Sequence, residues 1–178
     1  SACSQAVEEN PFFTEWDTPF GAHPFDKIQD EHFLPAYEEA IRQEKAEIDA
    51  IINNPEEPTF ENTIVAYDNS GALMRKVSPV FGGLRSAETT PRLQEIARET
   101  TPMLSAHSNE IRLNQALFER IQTVYENRES MDLDREQMRL VEKIYRDFER
   151  SGAALPEAER EKLKELNERM SMISLQLG

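Results

Sequence analysis

The stretch Pro35-Ala36-Tyr37-Glu38-Glu39-Ala40-Ile41-Arg42-Gln43-Glu44-Lys45-Ala46-Glu47-Ile48-Asp49-Ala50-Ile51-Ile52 decides the fold. Tyr37, Ala40 and Ile41, and again Ile48, Ile51 and Ile52, hold three- and four-residue offsets from the first of each set, with charged residues between them, which is the pattern of an amphipathic helix with one apolar face. Pro35 fits a first helical turn, where a missing N–H costs nothing, and Asp30 upstream can cap a short opening turn. Asn53-Asn54-Pro55 stops the period.

The same reading extends towards the carboxyl end. Thr59 caps a helix in which Phe60, Ile64, Tyr67, Gly71, Met74, Val77, Phe81 and Leu84 hold a near-heptad spacing. Pro79 falls inside that pattern and is expected to kink the helix without ending it, since the period continues past it. Thr90-Pro91 repeats the cap-plus-proline start, and Leu93, Ile96, Met103, Leu104, His107 and Ile111 follow as a stripe. Pro102 within the stripe predicts a bend or a fresh start near Thr101. Asn114 caps a helix carrying Leu117, Phe118, Ile121 and Val124. Met138, Val141, Ile144, Tyr145 and Phe148 mark another, which Gly152 closes. Pro156 opens the last, where Leu163, Leu166, Met170, Ile173 and Leu177 form a coiled-coil-like seam.

No strand of convincing length emerges, and short connections between long amphipathic helices make neighbours antiparallel. The expected fold class is all-α: antiparallel amphipathic helices in a bundle or stacked hairpins. A tetratricopeptide-type solenoid would repeat about every 34 residues. The proline-opened helices instead begin at Pro35, Pro91 and Pro156, 56 and 65 residues apart. Residues 1–20 read as an extended lead-in, broken by Asn10-Pro11 and Thr18-Pro19. Its rings, Phe12, Phe13, Trp16 and Phe20, are too many for a solvated tail, so part of it is expected to dock into grooves. Gly21-Ala22-His23-Pro24 then turns the chain into a helical domain, 21–178.

Composition narrows the function classes. The chain has 178 residues, 38% of them apolar, which suits a single modest core. Twenty Lys plus Arg against 34 Asp plus Glu leave a net charge of −14, a field that repels phosphate backbones, so no nucleic-acid partner is expected. No stretch approaches the roughly 18 consecutive apolar residues of a membrane span. One cysteine builds no disulfide framework, and six glycines are few for a turn-rich β architecture.

Catalytic constellations are missing from the pattern, so no catalytic or metal-ligating residue is assigned. His23, His32 and His107 are scattered, whereas a zinc site gathers three or four N, S or O ligands. Glu31-His32 lacks the second histidine of H-E-x-x-H, and His107 reads as a packed, hydrogen-bonded histidine. The pairs Glu8-Glu9, Glu38-Glu39 and Glu56-Glu57 read as solvated carboxylates. Gly82-Gly83 lacks the lysine and hydroxyl residues of a phosphate loop and reads as a place where helices approach closely. Cys3 has two readings, an incidental cysteine or, in Ser1-Ala2-Cys3-Ser4, the lipid-bearing cysteine of a bacterial lipoprotein. The second would tether the domain to a membrane in an extracytoplasmic, periplasmic space; otherwise a cytoplasmic location is expected.

Phe25-Asp26-Lys27-Ile28, Glu31-His32-Phe33-Leu34-Pro35-Ala36 and Pro58-Thr59-Phe60-Glu61-Asn62-Thr63-Ile64 together resemble one family: the zinc metallopeptidases that include thimet oligopeptidase, oligopeptidase A and bacterial peptidyl-dipeptidase (dipeptidyl carboxypeptidase). The resemblance is to their amino-terminal region. It continues through Leu104-Ser105-Ala106-His107, Leu113-Asn114 with Leu117-Phe118, Tyr145-Arg146-Asp147-Phe148, Ser151-Gly152-Ala153 and Leu166-Asn167-Glu168-Arg169 with Leu175. Asn53-Asn54-Pro55 ahead of the Pro58 motif is most similar to the peptidyl-dipeptidase subtype. The resemblance implies a helical, two-lobed enzyme with a deep channel for short peptides, whose H-E-x-x-H zinc helix and distal glutamate lie far downstream. The matched region stops short of that zinc domain, so no family site residue maps onto this chain.

The resulting expectation is an amino-terminal fragment of a peptidyl-dipeptidase-like zinc metallopeptidase, which walls the substrate channel and is inactive alone. The alternative is a free-standing acidic helical interaction module without catalysis. The expected partners are short peptides through the parent enzyme, the missing carboxyl-terminal domain, and a second copy of the fragment. The last follows from the final seam, whose end is expected either to fray or to bury itself in a two-fold homodimer, part of the seam packing on the helix of Val141, Ile144 and Phe148.

Overall fold

The computed structural model describes residues 9–16 and 26–177. Six long helices account for most of them: α1 Phe33–Ile52, α2 Ala72–Ala87, α3 Pro91–Arg112, α4 Gln115–Glu126, α5 Arg135–Arg150 and α6 Glu157–Leu177. No strand occurs among the described residues, and the fold is an all-α helical bundle.

Local chemistry places the helix starts. Thr90 Oγ1 accepts from the Leu93 N–H at 3.2 Å and Asn114 Oδ1 from the Leu117 N–H at 2.9 Å, so both expected caps form. Asp134 and Gln137 cap α5 reciprocally, each side chain accepting from the other's backbone N–H at 2.9 and 3.0 Å. Gly152 ends α5's turn at φ 94°, in the left-handed region that glycine reaches without a Cβ penalty.

One helix expectation is corrected and another narrowed. The segment capped by Thr59 does not run through to Leu84. It winds as a π turn over Phe60–Val65, continues through Ala66–Asp68, and breaks where Gly71 takes φ 74°. Periodicity had counted Gly71 as a packing position, whereas its backbone freedom makes it a hinge between helices. Of the bend or fresh start expected at Pro102, the fresh start does not occur: α3 is continuous from Pro91 to Arg112, as α2 is through Pro79.

The expected single core is two clusters strung along α1, which packs on α2, α3 and α4. Phe33, Ala36 and Tyr37 at its first half join Phe12, Val77, Val80, Phe81, Leu93 and Ile96. Ile48 and Ile51 at its second half join Phe60, Ile64, Ile111 and the inner faces of α4 and α5. The division has a cause in sequence. Between Ile41 and Ile48 the apolar stripe of α1 is occupied by Glu44, whose carboxylate lies 3.6 Å from Nε2 of the buried His107 on α3. A polar layer therefore crosses the bundle where a third apolar layer would otherwise sit.

Part of the lead-in docks. Asn10 caps a 3₁₀ turn over Pro11–Phe13, which carries Phe12 to full burial against Phe33, ring centroids 5.4 Å apart. Lys76 on α2 donates to the carbonyls of Phe12 and Thr14 and lies 4.6 Å from the Trp16 ring centroid. Burying a phenylalanine is worth roughly 1.5–3 kcal/mol, enough to hold so short a segment. Phe13 remains exposed, and Phe20 and the 21–24 turn lie outside the described residues.

Helix α6 packs chiefly on α3 and not on α5, where part of its seam was expected to pack; of the seam, Leu163 stands against Gly152 at the end of α5. Leu166, Met170, Ile173 and Leu177 all stay exposed, while Leu175 reaches the first core cluster.

Candidate functional site

The contact between α3 and α6 is polar. Thr101, Ser105, Ser108 and Arg112 fall three and four residues apart on α3, and Asn167, Ser171 and Ser174 do the same on α6, so each helix presents a hydroxyl- and amide-bearing stripe. The stripes meet. Ser105 Oγ lies 3.1 Å from Ser171 Oγ, Ser171 donates to the Asn167 carbonyl at 3.0 Å, and Asn167 Nδ2 donates to Asn109 Oδ1 at 3.2 Å.

Beside this seam an open cleft of about 910 Å³ is bounded by α3 and α6 and closed off by the final turns of α2 and α5. Those turns bring in Arg85 and Arg150, and α3 supplies Arg112. No Asp or Glu lines the cleft, although the chain carries −14 net charge. Among the described residues none of these guanidinium groups has a carboxylate within ion-pair distance. Arg85 lies over the Phe81 ring at 5.8 Å, and its Nε is buried without an acceptor. Asn109, 8% exposed, likewise keeps Nδ2 buried and unpartnered. Leu104, Leu163 and Leu175 add apolar wall. The cleft is a carboxylate-free surface of guanidinium, amide and hydroxyl groups with greasy edges.

Adjoining the cleft, and sharing Leu104, Ser108 and Arg112 with it, lies the polar layer, a smaller cavity of about 320 Å³ also lined by Glu44, Tyr67, Ser78 and His107. Burial pushes the Tyr67 phenol above its ordinary value, and the Arg112 charge opposes that shift. His107 is packed as expected, yet neither ring nitrogen has a hydrogen-bond partner, which corrects its reading as a hydrogen-bonded histidine. Its company is a carboxylate at ion-pair range.

The other candidates disperse. His32 is half-buried on the opening turn, its Nδ1 accepting the Gln29 N–H at 2.9 Å. Cys3, Glu8 and His23 lie outside the described residues. Glu9, Glu38, Glu56 and Glu57 are exposed, and Glu39 pairs with Arg42 at 2.5 Å. Gly82 and Gly83 correct a reading: a Cβ on either would meet nothing within 4 Å, so neither marks a close helix approach. Among the described residues no three His, Cys, Asp or Glu stand together as a metal donor set. The cleft arginines carry no motif, since they come from three separate helices; the signal was the absence of any acid among positions 101, 105, 108 and 112.

An all-helical segment with an arginine-lined cleft and without a metal donor set among its described residues is the class of object that fold and site define. No family model matches the chain. It is 41% identical over 161 residues to dipeptidyl carboxypeptidase of Salmonella typhimurium, covering 90% of this chain and 24% of that protein. It is 40% identical over 169 residues to dipeptidyl carboxypeptidase of Escherichia coli, covering 95% and 25%. Oligopeptidase A of Escherichia coli is 26% identical over 159 residues, covering 89% and 23%. The chain belongs to the thimet oligopeptidase and peptidyl-dipeptidase family. It spans about a quarter of the length of these curated relatives.

Proposed function

We propose that the chain is the amino-terminal helical part of a peptidyl-dipeptidase-type zinc metallopeptidase, which releases carboxyl-terminal dipeptides from short oligopeptides, and that this part walls the substrate channel. The observation that carries the reading is 40–41% identity to dipeptidyl carboxypeptidases sustained over 90–95% of the chain. An uncovered apolar stripe on α6 fits a segment that packs against further protein. The described residues do not fit a zinc site, so no catalytic step is derived on this chain; the metal and its activated water belong to the remainder of the enzyme.

The coding sequence downstream of Gly178 provides the test. An H-E-x-x-H within the following several hundred residues, and chelator-sensitive dipeptide release by the extended protein, support the reading. A native stop codon directly after Gly178 overturns it in favour of an acidic interaction module. The 178-residue chain alone is expected to hold no stoichiometric zinc and to cleave no peptide, measured by metal analysis and a dipeptide-release assay. Its compartment follows Cys3: a lipid adduct on that residue in the native host, detected by mass spectrometry, places the enzyme at a periplasmic membrane surface, and an unmodified thiol favours the cytoplasm.

A further inference from the structure

We infer that the cleft between α3 and α6 is a binding site for peptide carboxylates. The inference rests on the donor pattern alone and needs neither zinc nor a catalytic centre. In a chain with 34 acidic and 20 basic residues, most surfaces mix the two signs or carry the acidic one, yet this cleft gathers Arg85, Arg112 and Arg150 with no acid in its lining. Arg112 and Arg150 are exposed, so water solvates their charge at the cleft mouth. Two donors are denied that solvation: Arg85 Nε and Asn109 Nδ2, both buried and without an acceptor. A buried donor left unpaired costs about 1–3 kcal/mol. A ligand oxygen that reaches it removes that cost.

The ligand's chemistry follows from what surrounds the donors. Planar guanidinium forks match a carboxylate bidentately. Ser105, Ser108 and Ser174 supply further hydroxyls, and Leu104, Leu163 and Leu175 offer contact to carbon. A bare inorganic anion would leave those leucines idle. A peptide that alternates carboxylates with aliphatic side chains uses both. The carboxylate has two possible sources on such a peptide, an acidic side chain or the free carboxyl terminus, and both present the same group to the arginines.

The experiment uses the 178-residue chain and follows the Arg side-chain Nε–H resonances by NMR. Four probes are titrated separately: acetyl-Glu-Leu-Glu-Leu-amide, acetyl-Gln-Leu-Gln-Leu-amide, acetyl-Gln-Leu-Gln-Leu with a free carboxyl terminus, and inorganic phosphate. The expected result is a saturable shift of Arg85 Nε–H with the glutamate peptide, the free-carboxyl peptide or both, which also identifies the source. Binding should weaken at least tenfold in the R112Q/R150Q double variant, whose sites are exposed and whose fold is checked by circular dichroism, and should fall as salt is raised. Equal binding of the amidated glutamine peptide, phosphate binding as tight as the peptides, or no Arg85 shift at millimolar peptide overturns the proposal.

Discussion

Gly71 and the Gly82-Gly83 pair show that one residue type carries opposite consequences in one chain. At Gly71 the backbone lies at φ +74°, and a Cβ would sit 2.5 Å from the Glu44 carboxylate that faces His107. At Gly82 and Gly83, inside α2, no atom comes within 4 Å of the added carbon. Gly82→Ala and Gly83→Ala are therefore expected to stabilise the protein by about 0.5–1 kcal/mol each, through reduced unfolded-state freedom. Gly71→Ala is expected to cost more than about 1 kcal/mol. Urea unfolding midpoints separate the two cases, and a stabilised Gly71→Ala would contradict the hinge. A third residue-scale expectation concerns acid. Hydrogen bonds from Arg42 hold the Glu39 carboxyl down to about 2. A lowered carboxyl contributes stability above the ordinary glutamate range and loses it as pH falls towards about 2. Arg42→Ala should return the Glu39 titration towards about 4.3, followed by carboxyl carbon NMR, with little change in stability at neutral pH because the pair is exposed. The sequence alone marked the glycines as glycines; it could not separate a hinge from a harmless pair, since the difference lies in φ and in what stands opposite.

Helix α6 carries two stripes, and only one of them was legible. Leucines at Leu163 and Leu166 with Met170, Ile173 and Leu177 draw attention as a hydrophobic seam, and burial is the usual arbiter of which face turns inward. The face that meets α3 is instead Asn167 and Ser171, because α3 offers Ser105 and Asn109 there and small polar residues pair across the interface. Helix starts, by contrast, were legible down to the residue at Thr59, Thr90 and Asn114, since a cap is a local contact three residues long. Arg120 makes the complementary point. Its guanidinium ties α4 to the carbonyls of Asn54 and Glu56, both at 3.2 Å, partners 66 and 64 residues away that no local pattern announces. For α6 the expected outcome is that Asn167→Ala leaves Asn109 Oδ1 unpaired in a buried position, at a cost of about 1–3 kcal/mol. Hydrogen exchange should show α6 loosening ahead of α1, α4 and α5; uniform protection across the bundle would mean that the amide pair does not hold the helix.

At the scale of the whole molecule, the periodic segments were enough to give an all-α bundle, while the pairing of helices and the division of the core at Glu44 depended on contacts between distant stretches. The same scale decides what the exposed face of α6 does. Leu166, Met170 and Ile173 are 53%, 65% and 53% exposed, and Leu177 85%, so one apolar stripe runs along much of α6. Contiguous apolar patches are uncommon on monomeric proteins, and burying such side chains fully is worth roughly 1.5–3 kcal/mol each. Net charge of −14 opposes association of two copies, but its reach is screened over about 8–10 Å at ordinary salt. The 178-residue chain is therefore expected to self-associate through a two-fold contact of α6 on α6, more strongly as salt rises, because screening removes the repulsion and leaves the apolar gain. Sedimentation velocity across a concentration series is the measurement. Ile173→Glu with Leu177→Glu should abolish the dimer while leaving the circular dichroism unchanged, since both side chains lie outside the two core clusters. A strict monomer at high concentration and high salt would show that the stripe is too narrow to bind its own kind. If the proposed parent enzyme is right, extending the chain into its natural continuation should suppress the self-association without any change to α6, because that polypeptide then covers the stripe.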